Sequence, residues 1–278
     1  MLQLSEIWIY PVKSLGGIAL SHAKVTLRGL EYDRRWMLVD EKGTFITQRE
    51  YPELALFQPS IENDSLVICH RDSAKGSVRF SLSQKNNSPK MEVTVWEDIV
   101  AAQEVDSDIS AWFSQILGFT VRLVFMSEES HRKVDANYAV SSEDITSFSD
   151  GFPFLIIGQA SLDDLNARLE NPISIQRFRP NFVFTGGSAY EEENWTEFTI
   201  DNHTFYGVKP SGRCVITTVD FEKGIFSGKE PLFTLSKYKK VGKKVIFGQN
   251  VIAKQEGYLS IGVSIDVQKR TQSKPVVG

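Results

Sequence analysis

Cys214 is the residue whose surroundings best suit chemistry. It ends the segment Lys209–Cys214, K-P-S-G-R-C, where a glycine-containing turn is expected to enter a strand over Val215–Val219. Neighbouring positive charge favours the thiolate form of a cysteine, which is the form that acts as a nucleophile or a metal ligand. The residues alone leave three roles open: a structural cysteine, a nucleophile or a soft-metal ligand. A nucleophile needs a base within reach, and no histidine lies near Cys214 in the sequence.

The other cysteine, Cys69, ends the apolar run Leu66–Cys69 and is predicted to be a packed core residue. Two cysteines are too few for a disulfide framework, an all-cysteine iron–sulfur cluster or a cysteine-rich zinc site. The four histidines lie far apart, and none has a partner at metal-ligand spacing. The sequence therefore offers Cys214 as its one candidate soft-metal ligand.

Two segments carry cationic side chains at turns near the N-terminus. The first, Y-P-V-K-S-L-G-G over residues 10–17, places Lys13 and Ser14 on a glycine-bearing turn that suits an anion, although a plain turn is the alternative. The second, D-R-R-W over residues 33–36, is expected at a strand start, with Arg34 and Arg35 on opposite faces. A buried arginine needs an anion, which Asp33 or a ligand would supply.

A third cationic segment, R-F-R-P-N over residues 177–181, enters the predicted strand Phe182–Thr185. We expect Arg177 and Arg179 to share a face, with Asn181 at the same edge, so that two guanidiniums form a bidentate clamp for an oxyanion. A lysine-rich run, residues 237–244, could also contact phosphates, although such a run is usually a solvated face.

The elements that must position these residues are mostly short strands. Alternating or β-rich runs separated by turn signals indicate a sandwich or barrel; they are Ile18–Leu27, Arg35–Asp40, Ser65–Cys69, Val78–Leu82, Met91–Trp96, Val121–Phe125, Glu197–Ile200, Thr204–Val208, Val245–Phe247 and Ile261–Val267. Helical spacing predicts helices over Asp106–Leu117, from Ser161 to about residue 170 with a capping box at Ser161–Asp164, and over Pro231–Tyr238. The polar stretch Ser127–Asp150 is predicted to be a long surface loop, and Lys269–Gly278 a loose tail.

The length and the net charge of the chain limit the number of its domains and the kinds of partner it can have. With 278 residues the chain forms one large domain or two closely packed ones, and its net charge of −4 argues against a general nucleic-acid binder. Its N-terminus reads as a strand and not as a signal peptide, and no apolar run is long enough to span a membrane. We therefore expect a cytoplasmic protein with no membrane partner.

Together, the motifs resemble the MOSC superfamily, specifically proteins with an N-terminal β-barrel before the MOSC domain. Their order, Y-P-V-K-S, D-R-x-W, R-F-R-P-N, R-C-x-x-T-T-V-D and F-G-Q-N, covers nearly the whole chain, from Tyr10 to Asn250. The pattern is most similar to the bacterial and mitochondrial amidoxime-reducing components. The resemblance implies a mainly β (α+β) fold, with an N-terminal barrel over residues 1–125 packed on a MOSC barrel over residues 126–278 and a cofactor between them.

The resemblance also implies a molybdenum cofactor (Mo-molybdopterin) bound through the thiolate of Cys214, which suits a soft metal centre. The positions that match those holding the pterin and its phosphate are Lys13, Ser14, Arg34, Arg179, Asn181 and Arg213, and Asp150 matches a cofactor-proximal aspartate. Gly212 departs from the pattern, because related proteins often have serine there, although the hydroxyl of Ser211 could compensate.

The activity implied by the resemblance is reduction of N-hydroxylated compounds such as amidoximes, hydroxylamines and N-hydroxylated bases. Electrons would come from a separate ferredoxin- or flavodoxin-type protein and its reductase, since the chain has no dinucleotide fingerprint and too few cysteines for its own cluster. The alternative is a cofactor carrier or sulfur-transfer module without turnover, and a cysteine-dependent hydrolase is a more distant one.

Overall fold

The protein is mostly β-structure. The computed structural model describes residues 1–83 and 88–271, and within them it has three α-helices: Ser107–Leu117 (α1), Gln159–Asn166 (α2) and Leu232–Ser236 (α3). The strands of the first 126 residues are Leu2–Ile9 (β1), Ile18–Leu20 (β2), His22–Thr26 (β3), Gly29–Leu30 (β4), Trp36–Val39 (β5), Phe57–Glu62 (β6), Ser65–His70 (β7), Ser77–Ser81 (β8), Lys90–Val95 (β9), Asp98–Glu104 (β10) and Arg122–Phe125 (β11). Those that follow are Arg132–Lys133 (β12), Ile145–Thr146 (β13), Phe154–Gly158 (β14), Phe182–Thr185 (β15), Trp195–Ile200 (β16), His203–Arg213 (β17), Val219–Asp220 (β18), Ile225–Phe226 (β19), Lys240–Val241 (β20), Lys244–Ala253 (β21), Gly257–Ser260 (β22) and Ser264–Arg270 (β23).

Seven strands form a closed barrel in the order β14-β15-β1-β23-β16-β17-β21, and the ring closes where β21 pairs with β14. Its interior is filled by buried aromatic side chains, among them Phe154, Phe182, Phe198 and Phe205. Closure leaves none of these strands as an unpaired edge. The predicted barrel fold is confirmed, and the N-terminal strand β1 belongs to this barrel, paired with β15 and β23.

The first half of the chain builds a second β-layer. Strands β5, β11, β10 and β9 form a four-stranded half-barrel, and β6, β7 and β8 form a three-stranded sheet. The apolar face of α1 covers their core, in which Trp36, Phe57 and Phe113 are buried. No helix within residues 1–83 and 88–271 is long and apolar enough to cross a membrane.

The three predicted helices are present, with one error in detail. The carboxylate of Asp106 caps α1 by accepting hydrogen bonds from the N–H groups of Asp108 and Ile109, and Gly118 ends it with a φ of 80°. The predicted capping box at Ser161 is wrong, because α2 begins two residues earlier, after Gly158. The Ser161 hydroxyl instead donates to the buried carboxylate of Glu192 at 2.9 Å.

Three other local predictions are also wrong. Cys69 is exposed, because strand alternation buries its neighbour Ile68 and turns the thiol outward. Val215–Thr218 is a 3-10 helix and not a strand, since the hydroxyl of Thr217 binds the carbonyl of Cys214 and that of Thr218 binds the carbonyl of Val215.

The third concerns the stretch Ser127–Asp150, which is not a plain surface loop. It contains the paired strands β12 and β13, and Ser147 and Phe148 are fully buried. The predicted loose tail, Lys269–Gly278, begins inside β23, which runs to Arg270, and its residues 272–278 lie outside the described part of the chain.

Candidate functional site

A cavity of about 930 Å³ is lined by residues from both halves of the chain. All eight residues that the sequence singled out line it: Lys13, Ser14, Arg34, Asp150, Arg179, Asn181, Arg213 and Cys214. They come from turns after β1 and before β5, from the segment before β14, and from the ends of β15 and β17. Residues as much as 201 positions apart in sequence therefore meet at one place.

The cavity is strongly cationic. Four carboxylate residues line it, against ten cationic ones, namely Lys13, Arg34, Arg49, Arg132, Lys133, Arg177, Arg179, Lys209, Arg213 and Lys244. This excess stands out in a chain whose net charge is −4. A concave site with this charge attracts anions and raises their local concentration.

Lys13 and Asp150 form an ion pair in the cavity wall, in which the lysine is buried and the carboxylate is exposed. The ammonium of Lys13 donates to Asp150 Oδ1 at 2.6 Å and to the carbonyl of Phe148 at 2.8 Å, and the lysine is 5% exposed. Burial lowers the pKa of Lys13 to about 8, against the opposing pull of Asp150. Burial also acts to raise the pKa of Asp150, but Lys13 and Arg49 outweigh it and hold that carboxyl well below its usual range.

Two arginines outside the sequence motifs, Arg49 and Arg132, also line this part of the cavity. Arg49 donates to Asp150 Oδ2 at 2.9 Å, and its pKa is raised, because Asp150 and the Cys214 thiol beside it outweigh the effect of burial. Arg132 donates to the carbonyl oxygens of Ser147 and Asp150 and so shapes the turn that presents Asp150. The sequence motifs include neither residue, because Arg49 lies in a turn without a recognisable signal and Arg132 lies in the stretch predicted to be a loop.

Arg34 and Asn181 are held by the protein itself. The guanidinium of Arg34 contacts both oxygens of Asp33, at 2.8 and 2.7 Å, and donates to the carbonyl of Arg179. Asp33 is fully buried, so it is the anion that this arginine requires. The Asn181 amide oxygen accepts from Leu155 N, and its amide nitrogen donates to the carbonyl of Trp8. Both side chains therefore position the wall.

Arg177 and Arg179 do not act as the predicted paired clamp. They flank the end of a 3-10 helix, Ile175–Phe178, so they do not share a strand face. Arg177 donates to the carbonyl of Thr217 at 3.4 Å and to the hydroxyl of Ser227 at 3.1 Å. Arg179 has a buried donor, Nη2, without a partner within residues 1–83 and 88–271.

Arg179 combines a stacked guanidinium with one buried, unpartnered nitrogen. Its guanidinium stacks on the Tyr10 ring, 4.2 Å from the centroid, while Arg34 stacks on the same ring at 4.4 Å. One of its nitrogens, Nη1, donates to the carbonyl of Leu15, whereas the buried Nη2 has no partner among the residues described. Burial and then Arg34 lower the pKa of Arg179 to about 10. A buried donor of this kind is satisfied by a bound anion.

Three of the eight residues have strained backbones. Ser14, Arg34 and Arg179 have φ values of 68°, 49° and 55°, in the left-handed region that non-glycine residues rarely adopt. Such conformations cost free energy and tend to cluster at functional sites. Here the strain turns a hydroxyl and two guanidiniums toward one cavity.

Cys214 directly follows β17 and begins the 3-10 helix over Val215–Thr218. Its neighbour Arg213 donates to the carbonyl oxygens of Phe178 and Phe247, which locks the end of β17. Burial lowers the pKa of Arg213 to about 10, while the adjacent Cys214 raises it. The aliphatic part of Lys244 covers Gly212, where an added Cβ would lie 3.4 Å from Lys244 Cδ.

The donor set suits a metal that brings most of its own ligands. Nowhere in residues 1–83 and 88–271 do three or more His, Cys, Asp or Glu side chains gather to hold a metal ion. Cys214 is the one cysteine in a cavity wall whose charged residues are mostly cationic. One thiolate together with an anion-binding wall fits a soft metal carried by an anionic organic group.

Comparison with known proteins agrees with this architecture. Residues 1–120 match the family described as "MOSC N-terminal beta barrel domain" and residues 143–266 the one described as "MOSC domain". The chain is 32% identical over 276 residues to mitochondrial amidoxime-reducing component 1 of Mus musculus, an alignment that covers 93% of this chain and 80% of that protein. This chain belongs to the MOSC family that includes the amidoxime-reducing components.

Two further proteins are similar to this chain over most of its length. Mitochondrial amidoxime reducing component 2 of Bos taurus is 34% identical over 251 residues, which cover 85% of this chain and 72% of that protein. Molybdenum cofactor sulfurase of Oryza sativa subsp. japonica is 29% identical over 264 residues, covering 89% of this chain and 32% of that protein. These names support a function associated with the molybdenum cofactor.

Proposed function

We propose that the cavity binds a molybdenum cofactor, with Cys214 as its protein sulfur ligand, and that the chain reduces N-hydroxylated compounds. The observation that supports this most is the position of Cys214, a lone thiol in the wall of a cavity lined by ten cationic residues. The relatives named amidoxime-reducing components support the choice of reaction.

The side chains divide into two roles toward such a cofactor. Arg179, with its unpartnered Nη2, and Ser14, whose hydroxyl has no partner in residues 1–83 and 88–271, are free to bind the pterin or its phosphate. The other role is structural: hydrogen bonds to protein groups use donors of Arg34, Asn181 and Arg213, so these side chains hold the wall in place. Charge-assisted contacts to phosphate are roughly twice as strong as neutral ones.

The reaction consumes two electrons and two protons for each N–O bond: the N–O bond breaks, the oxygen leaves as water and an N–H bond forms. When bound, the cofactor supplies the two-electron redox chemistry, and the protein supplies position and electrostatics. The pKa of Lys13, lowered to about 8, lets its ammonium exchange a proton near neutral pH. Arg49 and Lys13 keep Asp150 ionised in the same wall.

The electrons come one at a time from a separate protein of ferredoxin or flavodoxin type. We expect the pure, cofactor-loaded protein not to reduce a hydroxylamine with NADH alone. A chemical one-electron donor, reduced viologen, should support turnover without any partner.

The test uses the two cysteines as a matched pair. Cys214→Ser should lose viologen-driven reduction, because a hydroxyl is a poor ligand for a soft metal. Cys69→Ser changes an exposed thiol outside the cavity and should keep activity close to wild type. Metal analysis and pterin fluorescence of each purified variant report cofactor content, and circular dichroism reports folding. Equal loss of activity in two equally folded variants would refute the assignment of Cys214.

A carrier or sulfur-transfer role is the second candidate, favoured by the 29% identity to a molybdenum cofactor sulfurase. The two functions differ in turnover. Protein shown to contain molybdenum and pterin, yet unable to reduce a hydroxylamine with viologen, would be a carrier.

A further inference from the structure

A lysine-rich hairpin projects beside the cavity. It is formed by β20 and the start of β21, where Lys240 pairs with Val245 and Val241 pairs with Lys244, and we call residues 240–244 the basic hairpin. Every residue from Lys240 to Lys244 is exposed. With the nearby exposed Lys237, the hairpin gathers four lysines, Lys237, Lys240, Lys243 and Lys244, on a chain whose net charge is −4.

These four lysines have no carboxylate partner within the described residues, whereas the neighbouring Lys239 pairs with Glu193 at 2.5 Å. Like charges placed together repel one another and do not stabilise the fold. An unpaired cationic surface of this kind is complementary to an acidic partner.

The hairpin lies close to the cysteine in the sheet ladder. Arg213, the residue before Cys214, pairs with Val245, and Val245 pairs on its other side with Lys240. Two strand spacings place the Cα atoms of Arg213 and Lys240 about 10 Å apart. Lys244 also lines the cavity itself, so a protein bound on the hairpin lies at the mouth of the site.

Exposed apolar side chains accompany the lysines. Val241 at the hairpin, Phe233 on α3 and Val215 after Cys214 are 66%, 51% and 40% exposed. Helix α3 packs against both β21 and the 3-10 helix that begins with Val215, so the three side chains belong to neighbouring elements. A small apolar area with a charged surround is suited to a weak, short-lived protein contact.

We propose that the basic hairpin is the docking site for a small acidic electron-transfer protein. The proposal rests on the proposed function, which requires an external one-electron donor that binds and leaves twice for each substrate molecule. A contact of small area satisfies that need, and opposite charge steers the encounter.

The test is charge reversal at two lysines that do not line the cavity. The hairpin variant carries Lys240→Glu and Lys243→Glu. The control variant carries Lys75→Glu and Lys254→Glu, which replace two exposed, unpaired lysines elsewhere on the surface. Each pair of substitutions changes the net charge from −4 to −8. Lys254 follows the far end of β21, about 30 Å from Lys244 along the strand. Long-range charge is therefore matched and only its location differs.

Cofactor-loaded proteins are assayed with a reduced plant-type ferredoxin and with reduced viologen. We expect kcat/KM for ferredoxin to fall roughly ten-fold or more at low salt in the hairpin variant and much less in the control. The wild-type advantage should shrink as salt rises. Viologen-driven turnover should stay the same in all three proteins.

Three results would overturn the proposal. The first is an equal kcat/KM for ferredoxin in the hairpin variant and the control variant. The second is wild-type protein that turns over with viologen but not with ferredoxin. The third is unchanged ferredoxin kinetics together with loss of binding to phosphatidylglycerol vesicles, which would assign the hairpin to a membrane surface. Failure of viologen-driven turnover in loaded wild-type protein would instead refute the proposed function.

Discussion

Arg34 and Arg179 stack on the same Tyr10 ring, yet removing each should affect the cofactor-free protein differently. Arg34→Met leaves the fully buried carboxylate of Asp33 without its cation. Loss of one member of a buried ion pair costs about 3–5 kcal/mol. Asp33 would still accept one hydrogen bond, from Tyr10 N at 2.8 Å. We therefore expect a cost near the lower end of that range.

Arg179→Met should leave the stability of the apo protein almost unchanged. The substitution removes a hydrogen bond to the Leu15 carbonyl and a cation–π contact, together about 2–3 kcal/mol. It also removes a charge whose burial lowers its pKa to about 10, a penalty of about 3 kcal/mol relative to the ordinary value of 12.5. The two effects offset, and the variant should lie within about 1 kcal/mol of wild type.

The two variants should nevertheless both lose cofactor. Arg179→Met removes a charge-assisted contact of about 2–3 kcal/mol, which corresponds to a roughly 30- to 150-fold loss of affinity. Arg34→Met acts indirectly, because it removes the hydrogen bond that Arg34 donates to the Arg179 carbonyl and so disturbs the wall. Urea unfolding of apo proteins from a host that does not make the cofactor gives the stabilities, and molybdenum content after expression in a competent host gives retention. If Arg179→Met destabilises the apo protein as much as Arg34→Met does, the assignment of Arg179 as an unsatisfied ligand-binding cation is wrong.

Three further predictions concern single residues. Because the pKa of Lys13 lies at about 8, apo protein should bind the anionic cofactor more weakly at pH 9 than at pH 7, and Lys13→Arg, which keeps its charge, should lessen that difference. Burial raises the pKa of Glu192 to about 7, so the protonated carboxyl stabilises the fold below pH 4.5 and this stabilisation is lost as pH rises through 7. Glu192→Gln cannot ionise and should therefore unfold at a higher urea concentration than wild type at pH 8. At pH 4.5 the two proteins should unfold at similar urea concentrations. Gly212→Ser meets only ordinary contact with Lys244, so its melting temperature should match that of wild type, and the added hydroxyl should leave molybdenum content equal or higher.

Much of the cavity could be predicted because most of its candidate residues lie in short motifs that place cationic or hydroxyl side chains at turns beside strands. All eight candidate residues line one cavity. The prediction of a β-rich fold succeeded for a related reason, since strand alternation in stretches such as Ser65–His70 is a local property of the chain.

Other features depend on partners distant in sequence, which local patterns do not report. Ser161 resembles a helix cap until Glu192 is placed beside it. The exposure of Cys69 depends on which face of β7 meets the core. The pairing of Arg34 with Asp33, rather than with a ligand, and the role of Arg49 beside Cys214 become evident only when the two halves of the chain are assembled.

The position of β1 in the barrel has a consequence for how the chain folds. Leu2 pairs with Ile265, so β1 cannot complete its pairing until residues more than 260 positions later have been synthesised. Barrels held by contacts of such long sequence separation fold slowly. A fragment of residues 143–271, which contains the region that matches the MOSC domain and all of β23, would lack β1 and leave β15 and β23 as open edges. A synthetic peptide of residues 1–9 added to that fragment should therefore act as its missing strand.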